Sequence, residues 1–292
     1  VIQDFLNPDF TLVGDFDERC GTILERFYAA IMTTSPPCKR MSIENAELAK
    51  VALNSFLTTK ITYANMLADL CERIPGGDVD IITDAIGSDS RIGRAYFTGA
   101  LGYGGPCFPR DNVALSFFAN ELGTKAELPE TTHRTNQALA KKFVKHFIKG
   151  IDSNKTIAVL GMAYKPFSHV IEESQSVLLA SAFANSGVRV VVYDSLAGDM
   201  VRSELKDKVV VLNSLKDCLD QADIILVTTP DPEFKAISAN DFKGKHVTII
   251  DFWRILNKKF NGLTNLHYIP VGRSITDSEN ETRLKQMWNS TS

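Results

Sequence analysis

The sequence predicts an α/β chain in which an all-helical stretch is followed by a doubly wound parallel sheet. Three observations carry this expectation. The 292 residues exceed the usual size of one domain. Between Ser42 and about Gly150 the apolar residues recur at helical spacing over long runs. After Gly150 the period changes to short apolar runs separated by amphipathic segments, the pattern of strands alternating with helices.

Taken in order, residues 1–41 offer a short strand, Thr11 to Val13, and an amphipathic helix, Glu18 to Ile31, with apolar residues at Ile23, Leu24, Phe27 and Ala30. One strand and one helix bury too little surface to stand alone, so this stretch is expected to be the remnant of a larger sheet domain. Residues 42–150 form the helical part. Ser42 supplies N-cap chemistry for a long helix reaching toward Glu72, where Ile74-Pro75-Gly76-Gly77 stops it. A second helix is expected from Val79 to Ile86, closed by Gly87. After the Gly-rich run Gly99-Ala-Leu-Gly-Tyr-Gly-Gly-Pro-Cys-Phe-Pro-Arg-Asp111 come two more, Asn112 to Leu122 and Pro129 to Ile148, the last long enough to connect two halves. In residues 151–292 the strand candidates are Thr156 to Leu160, Val188 to Tyr193, Val209 to Leu212, Ile224 to Val227 and Val247 to Ile250. Ser174 to Ala184 and Leu215 to Ala222 are the clearest helices between them, and the polar tail beyond Ser274 is expected to fray.

Composition narrows the partners. The chain is 44% hydrophobic and 23% charged with a formal charge of -3, and its basic residues are dispersed among acids. A nucleic acid or an anionic membrane would call for a clustered basic surface, so neither is expected. No apolar run approaches the roughly 20 residues needed to span a bilayer. The five cysteines are far apart, with no C-x-x-C pair and no histidine at metal-ligand spacing, which fits a reducing cytoplasm and predicts no metal site.

Three features bear on chemistry. A sheet that grips the pyrophosphate of a dinucleotide usually carries G-x-G-x-x-G at its first turn, because only glycine lets backbone N–H groups approach the phosphates. Here that turn reads Gly161-Met-Ala-Tyr-Lys-Pro166, so the fingerprint is absent. Lys165 and Arg254 still fall just past expected strand ends, where they could meet an anion or stand as solvated loop cations. In the Gly-rich run, Gly102, Gly104 and Gly105 free the backbone, Pro106 and Pro109 stiffen it, and Cys107 lies between them. Such restraint suits a nucleophile that must be aimed, yet a lone cysteine is just as often a small core residue. On the long helix Glu47, Lys50 and Asn54 share one face, either as a solvated stripe or as a lysine and an amide able to stabilise an oxyanion.

Three runs then match a known pattern in order and spacing: Asn45-Ala-Glu-Leu-Ala-Lys50-Val-Ala-Leu-Asn54, Arg91-Ile-Gly-Arg94, and Gly-Tyr-Gly-Gly-Pro-Cys107-Phe-Pro-Arg-Asp111. Together they resemble the nucleotide-sugar 6-dehydrogenases, the UDP-glucose branch most closely. Asp4-Phe-Leu-Asn-Pro-Asp9 with Leu12-Val-Gly14 looks like the late part of that family's NAD-binding domain, the middle like its helical dimerisation domain, and the end like its Rossmann-like UDP-binding domain. The resemblance implies oxidation of UDP-glucose to UDP-glucuronate with NAD, through a thiohemiacetal and then a thioester on Cys107. It implies that Lys50 and Asn54 stabilise the oxyanion and orient water and that Asp111 assists thioester hydrolysis. It further implies that Arg91 reaches the substrate across a homodimer interface, that Thr98 to Gly104, Tyr103 among them, line the sugar-nucleotide loop, and that Tyr164, Lys165 and Arg254 hold the UDP portion.

The chain departs from the pattern in four places. The N-terminal NAD fingerprint is not in it, and the family's catalytic glutamate would lie just upstream of Val1, so this chain alone is not expected to reduce NAD. Val170-Ile-Glu172-Glu173-Ser174 stands where many members carry Asp-x-Arg-Glu-Ser, which puts Glu172 at the position of a cofactor contact alongside Cys107. Pro106 replaces a small or polar residue beside the cysteine. The alternatives are a related dehydrogenase acting on GDP-mannose or a UDP-N-acetylhexosamine, disfavoured by Phe108 after the cysteine, and a non-catalytic sugar-nucleotide-binding or dimerisation module.

Overall fold

The structure, a computed structural model, describes residues 2–152, 154–256, 259–260 and 263–289. It opens with a short helix α1 (Ile2–Leu6), a strand β1 (Thr11–Asp15), a helix α2 (Glu18–Ile31) and a strand β2 (Cys38–Ser42). Asp17 caps α2 by accepting from the Cys20 amide at 2.8 Å. The two strands pair in parallel from Thr11 opposite Cys38 to Asp15 opposite Ser42. The sequence reading missed β2, because Cys38-Lys-Arg-Met-Ser42 is too polar to stand out as a strand. Its Arg40 reaches back to Asp15 at 2.8 Å and fastens the unit.

Strand β2 runs directly into α3 (Ile43–Cys71), and Ser42 is the N-cap residue, accepting from the Asn45 amide. The helix holds 29 residues, roughly 44 Å at a 1.5 Å rise. It is followed by α4 (Val79–Gly87), α5 (Phe108–Glu121) and α6 (Glu127–Phe147). The interior between these helices is small and polar, with Thr58, Asn112, Thr132 and Asn136 all buried. Much of the large apolar surface of α3 and α5 faces outward instead, including Phe56, Tyr63, Phe117 and Phe118. Helix α5 begins four residues before the expected Asn112, because Pro109 near its first position fits a helix start and its missing N–H costs nothing there.

The second region holds β3 (Thr156–Leu160), α7 (Gln175–Asn185), β4 (Arg189–Tyr193), α8 (Gly198–Leu205), β5 (Val210–Val211), α9 (Leu215–Gln221), β6 (Ile224–Val227), α10 (Pro232–Lys235), β7 (Val247–Asp251), β8 (Leu266–Pro270) and α11 (Asp277–Asn289). Its six strands lie in the order β5-β4-β3-β6-β7-β8, all parallel. Successive residues of β3 serve opposite faces of the sheet. Ile157 and Val159 pack with Leu179 and Phe183 of α7, while Ala158 and Leu160 pack with Cys218 and Leu219 of α9. Burial on both faces is why these strands read as continuous apolar runs rather than alternating ones. Strand β8 was not expected, since His267 and the closing Pro270 interrupt the apolar pattern.

Two connections tie the regions together. Ala140 and Val144 of α6 belong to the same apolar core as Ile157 and Leu179, so this helix is shared between them. The segment after β8 returns to the α3–α4 turn. The Val79 amide donates to the Gly272 carbonyl at 2.9 Å, the Ser274 amide to Gly77 at 2.9 Å, and Asn280 to the Glu72 carbonyl at 3.0 Å. The tail therefore does not fray as expected through Asn289; residues 290–292 lie outside the described residues. Its polar composition reflects hydrogen bonding to the helical region.

Candidate active site

The Gly-rich loop between α4 and α5 has no strand partner, and two asparagines take that role. Asn65 of α3 accepts from the Ala100 amide at 2.8 Å and donates to the Leu101 carbonyl at 3.1 Å. Asn136 of α6 accepts from the Tyr103 amide and donates to the Tyr103 carbonyl, both at 2.9 Å. A primary amide mimics a peptide group, so each supplies one rung of a ladder. The Gly105 amide then donates to the Glu172 carbonyl at 2.8 Å, which binds the loop to the sheet region. Gly105 has φ +83, and a Cβ there would stand 2.6 Å from the Tyr164 ring. A Cβ on Gly104 would meet the Glu173 carbonyl oxygen at 2.4 Å. These glycines let the loop wedge against the segment after β3.

The loop ends at Cys107, the N-cap residue of α5, whose side chain is exposed and makes no capping bond. The sulfur thus stands at the positive end of a helix of 14 residues. Asp111 follows one turn later, on the same face, and its amide donates to the Cys107 carbonyl at 2.9 Å. Its buried carboxylate accepts from Lys50 Nζ at 2.7 Å and from Asn54 Nδ2, two residues a single turn apart on α3. Lys50, Asn54 and Asp111 therefore form one bonded set across α3 and α5, beginning one turn from the cysteine. The next residue, Asn112, donates to Thr58 at 3.0 Å and to the Tyr103 hydroxyl at 3.1 Å. Burial pushes that phenol well above its usual range.

Cys107 opens onto a cleft of about 400 Å³ between the two regions. Of the residues singled out in the sequence, Thr98, Tyr103, Gly104, Cys107, Tyr164 and Lys165 line it. The Lys165 ammonium lies 5.5 Å from the centre of the Tyr164 ring. A smaller annex of about 70 Å³ shares Gly104, Tyr164 and Lys165 with the cleft and runs to Thr228 and Thr229. It lies at the carboxyl ends of β3 and β6, the point where the strand order reverses and where such sheets receive ligands.

Three residues named from the sequence are placed elsewhere. Arg254 does not stand free for an anion. Its side chain is 1% exposed, and its guanidinium binds Asp80 of α4 twice at 2.8 Å, the Phe252 carbonyl at 2.8 Å and the Val271 carbonyl at 2.7 Å. The reading of Arg254 as a UDP contact is therefore corrected: four of its five N–H donors are engaged by Asp80 and by the Phe252 and Val271 carbonyls. Trp253, the preceding residue, faces the cleft and the annex in its place. Burial alone would raise Asp80, but hydrogen bonds and charge from Arg254 and then Arg273 outweigh it and hold this carboxyl below the usual range. Arg91 is largely exposed and pairs with Asp89 at 2.6 Å, away from the residues lining the cleft. Glu172 is held by Arg110 at 2.6 Å.

The turn after β3 does not fit the pyrophosphate of NAD. The Met162 and Ala163 amides, which a phosphate would need, donate to Asp194 Oδ2 at 2.7 and 2.9 Å. Oδ1 of the same carboxylate accepts from Leu196 and Ala197 at 2.9 and 2.8 Å. An anion is already built into that nest. Among the residues the sequence reading missed, Asn65 and Asn136 carried a signal, an asparagine in the interior of a long helix. Trp253 carried none, because a tryptophan in a loop is as readily packing as binding.

Comparison with known proteins follows this geometry. Residues 44–138 match the UDP-glucose/GDP-mannose dehydrogenase family, central domain, and residues 158–258 match the same family's UDP binding domain. The UDP-glucose 6-dehydrogenase AglM of Haloferax volcanii is 33% identical over 88% of this chain and 60% of its own length. The UDP-glucose 6-dehydrogenase TuaD of Bacillus subtilis is 29% identical over 93% of this chain and 59% of its own. Among solved structures, a UDP-glucose dehydrogenase from Pyrobaculum islandicum superposes with a TM-score of 0.82 at 29% identity, covering 94% of this chain and 61% of that one. A UDP-D-ManNAc dehydrogenase from Pyrococcus horikoshii, at 22% identity and a TM-score of 0.75, shares the fold over 94% of this chain and 62% of its own. The chain thus spans about three fifths of the length of these relatives. Among the described residues no helix is long and apolar enough to cross a membrane.

Proposed function

Because the chain belongs to the UDP-glucose/GDP-mannose dehydrogenase family, we propose that it carries the nucleotide-sugar site and the nucleophile for the NAD-dependent oxidation of UDP-glucose to UDP-glucuronate. The observation that carries the reading is Cys107, an exposed thiol at a helix N-terminus that opens onto a cleft walled by Tyr164 and Lys165. The sugar would lie toward the cysteine and the nucleotide toward the carboxyl ends of β3 and β6. Lys165 would face the diphosphate, since an ammonium donates charge-assisted hydrogen bonds to phosphate oxygens.

In this reading NAD would supply the oxidising power, one equivalent taking the C6 alcohol to the aldehyde and a second taking the thiohemiacetal to the thioester, while the Cys107 thiolate adds to the aldehyde and holds C6 through both covalent states. Water then attacks the thioester, releasing the carboxylate and the thiol. The residues at hand suit the charge that develops. Lys50 and Asn54 are held together on Asp111, one turn from Cys107, and would supply donors to an oxyanion there. NAD itself does not fit the turn after β3, and no contact to it is assigned to Glu172, whose carboxylate is paired with Arg110. The UDP-glucose names of the relatives at about 30% identity support this sugar over GDP-mannose or a UDP-N-acetylhexosamine. Calorimetric titration of the three nucleotide sugars tests it: UDP-glucose binding at least tenfold tighter than the others is the expected result, and the reverse order moves the assignment to another sugar.

The same reading includes a homodimer through the helical region. Phe56 and Tyr63 of α3 and Phe117 and Phe118 of α5 form an outward apolar surface of the kind that a two-fold partner covers, and Arg91 would then reach the partner's cleft. Light scattering at micromolar concentration should give twice the chain mass, and a monomer contradicts the pairing.

A further inference from the structure

Cys107 does not hold its own place. It stands at the N-cap position of α5 with helical backbone angles, φ -99 and ψ -55, and its side chain makes no capping bond. Extended backbone and a side-chain acceptor usually mark that position and steady the chain as it enters a helix. Just before it lie Gly104, Gly105 and Pro106, and one bond, from the Gly105 amide to the Glu172 carbonyl, holds the middle of this stretch. Glycines leave a short segment free to move unless both of its ends are fixed. A nucleophile cannot tolerate that freedom, because its atom must come within about 3–3.5 Å of the carbon that it attacks.

Both ends are fixed by one side chain. Asn112 of α5 is 1% exposed. Its Nδ2 reaches the Tyr103 hydroxyl at 3.1 Å on one side of the stretch, the Phe108 carbonyl at 3.0 Å on the other, and the Thr58 hydroxyl of α3 at 3.0 Å. The Phe108 carbonyl decides which end of the amide is nitrogen, since a reversed amide would set two oxygens together. Thr58 is buried, with its own hydroxyl on the Ser55 carbonyl at 2.8 Å, so the anchor on α3 is held in turn. Tyr103 is buried as well, and Asn136 already binds its peptide group. The carboxylate of the neighbouring Asp111 is engaged by Lys50 and Asn54 on α3 instead. Asn112 thus joins the two ends of the segment that carries the sulfur.

We propose that Asn112 is the positioning residue of Cys107, closing the loop from Tyr103 to Phe108 and so setting where the sulfur stands in the cleft. The inference rests on the reading of Cys107 as the nucleophile and adds the residue that aims it. Asn112 is not among the residues lining the cleft, so it acts through the loop rather than on the sugar. A displacement of about 1 Å at a reacting atom can cost about a hundredfold in rate. The effect is therefore read at the sulfur and not in the affinity for the nucleotide.

The test uses the 292-residue chain, with iodoacetamide labelling of Cys107 read by peptide mass spectrometry in the presence of UDP-glucose or UDP. Calorimetry on each chain sets both ligands at saturation. In the parent, UDP-glucose should slow the labelling about tenfold more than UDP does, because only the sugar reaches the sulfur. Asn112→Leu keeps the volume and deletes the amide, and Tyr103→Phe deletes one oxygen; each should lower that ratio by about threefold or more. In the double variant the ratio should fall no further than in Asn112→Leu alone, since both changes open the same closure. Loss of packing alone lowers the melting temperature and leaves the ratio where it was. Melting curves establish that each variant folds, and Tyr103→Phe decides the matter should Asn112→Leu not fold. An unchanged ratio in either folded variant, or losses that multiply in the double variant, overturns the role of Asn112. A parent that binds neither ligand, or that binds UDP-glucose yet is protected no better than by UDP, overturns the reading of the site and the positioning residue with it. That outcome is distinct from a parent with the full ratio whose variants share it.

Discussion

Arg254 grips Asp80 with two bonds of 2.8 Å, Nε to Oδ2 and Nη2 to Oδ1, and so fastens the loop after β7 to the first turn of α4. Asp80→Asn leaves a buried guanidinium half paired. The variant should lose about 3 kcal/mol, the low end for a broken buried pair, because the aspartate side is one-third exposed. Urea unfolding measures it, and a difference under about 0.5 kcal/mol, the size of an ordinary surface change, contradicts the clamp.

The same pair gives a pH dependence. The folded carboxyl of Asp80 lies below its unfolded value, since the two arginines outweigh the effect of burial. A depressed carboxyl stabilises the fold above the unfolded value of about 3.9 and loses that contribution as pH falls through the folded one. The stability gap between the parent chain and Asp80→Asn should therefore be constant from about pH 7 to 5 and close below about pH 4. A gap that widens on acidification is incompatible with this sign.

Cys107 should be the first of the five thiols to be alkylated. It is exposed at the start of α5. Cys20 is also exposed, but its hydrogen bond to Asp17 and that carboxylate's charge push its thiol up. Cys38 is raised chiefly by burial, as is Cys71, and burial takes Cys218 up to about 12. Timed iodoacetamide labelling read by peptide mass spectrometry settles the order, and prior labelling of Cys20 would remove the reason for giving Cys107 a chemical task.

Gly105→Ala should destabilise the chain more than Gly123→Ala does. Both positions have positive φ, +83 and +74, and share the backbone strain of about 1 kcal/mol. Only at Gly105 does the new Cβ also strike a ring, that of Tyr164 at 2.6 Å; nothing lies within 4 Å at Gly123. The extra loss should be about 1–3 kcal/mol and should be accompanied by weaker UDP binding, because Tyr164 walls the cleft. Equal melting temperatures for the two variants would show that the loop does not press on the sheet region.

Asn136→Ala removes both bonds to the Tyr103 peptide group. The expected loss is about 2 kcal/mol, for leaving the buried N–H unmet and its C=O with only the longer bond of 3.4 Å from Gln175. Hydrogen exchange at Tyr103 should quicken together with it, whereas a loop that keeps its protection is held by something other than this amide.

Periodicity made the fold legible wherever one element could be recognised from its own residues. The buried strands β3, β6 and β7 announce themselves as short apolar runs, and α3 as a long helix capped by Ser42. Strands β2 and β8 did not, because their residues are mixed and their status comes from the neighbour they pair with. Helix α11 is polar for the same reason: its Asp277 and Asn280 hydrogen-bond to Gly76 and Glu72. In the site, residues on one helix or one loop lie together as their spacing suggested, Lys50 with Asn54 on Asp111 and Thr98 with Cys107 on one cleft. Arg254 was not, since its partner Asp80 is distant in sequence, and position after a strand says nothing about which way a side chain turns. Trp253 acquires its place only from the cavity that it lines.

The most direct measurement is the melting temperature of the chain with UDP-glucose, UDP or NAD at millimolar concentration. A ligand specific for the folded state adds about 2.7 kcal/mol at a hundredfold excess over its dissociation constant, a clear rise in melting temperature. UDP-glucose and UDP should both produce it, and Lys165→Ala should diminish it, because Lys165 lines both the cleft and the annex. NAD should leave the curve in place, since the turn that would meet its phosphates is filled by Asp194. A curve that is unmoved by either uridine ligand and raised by NAD would contradict the account, making the sheet region a cofactor site rather than the seat of a nucleotide sugar.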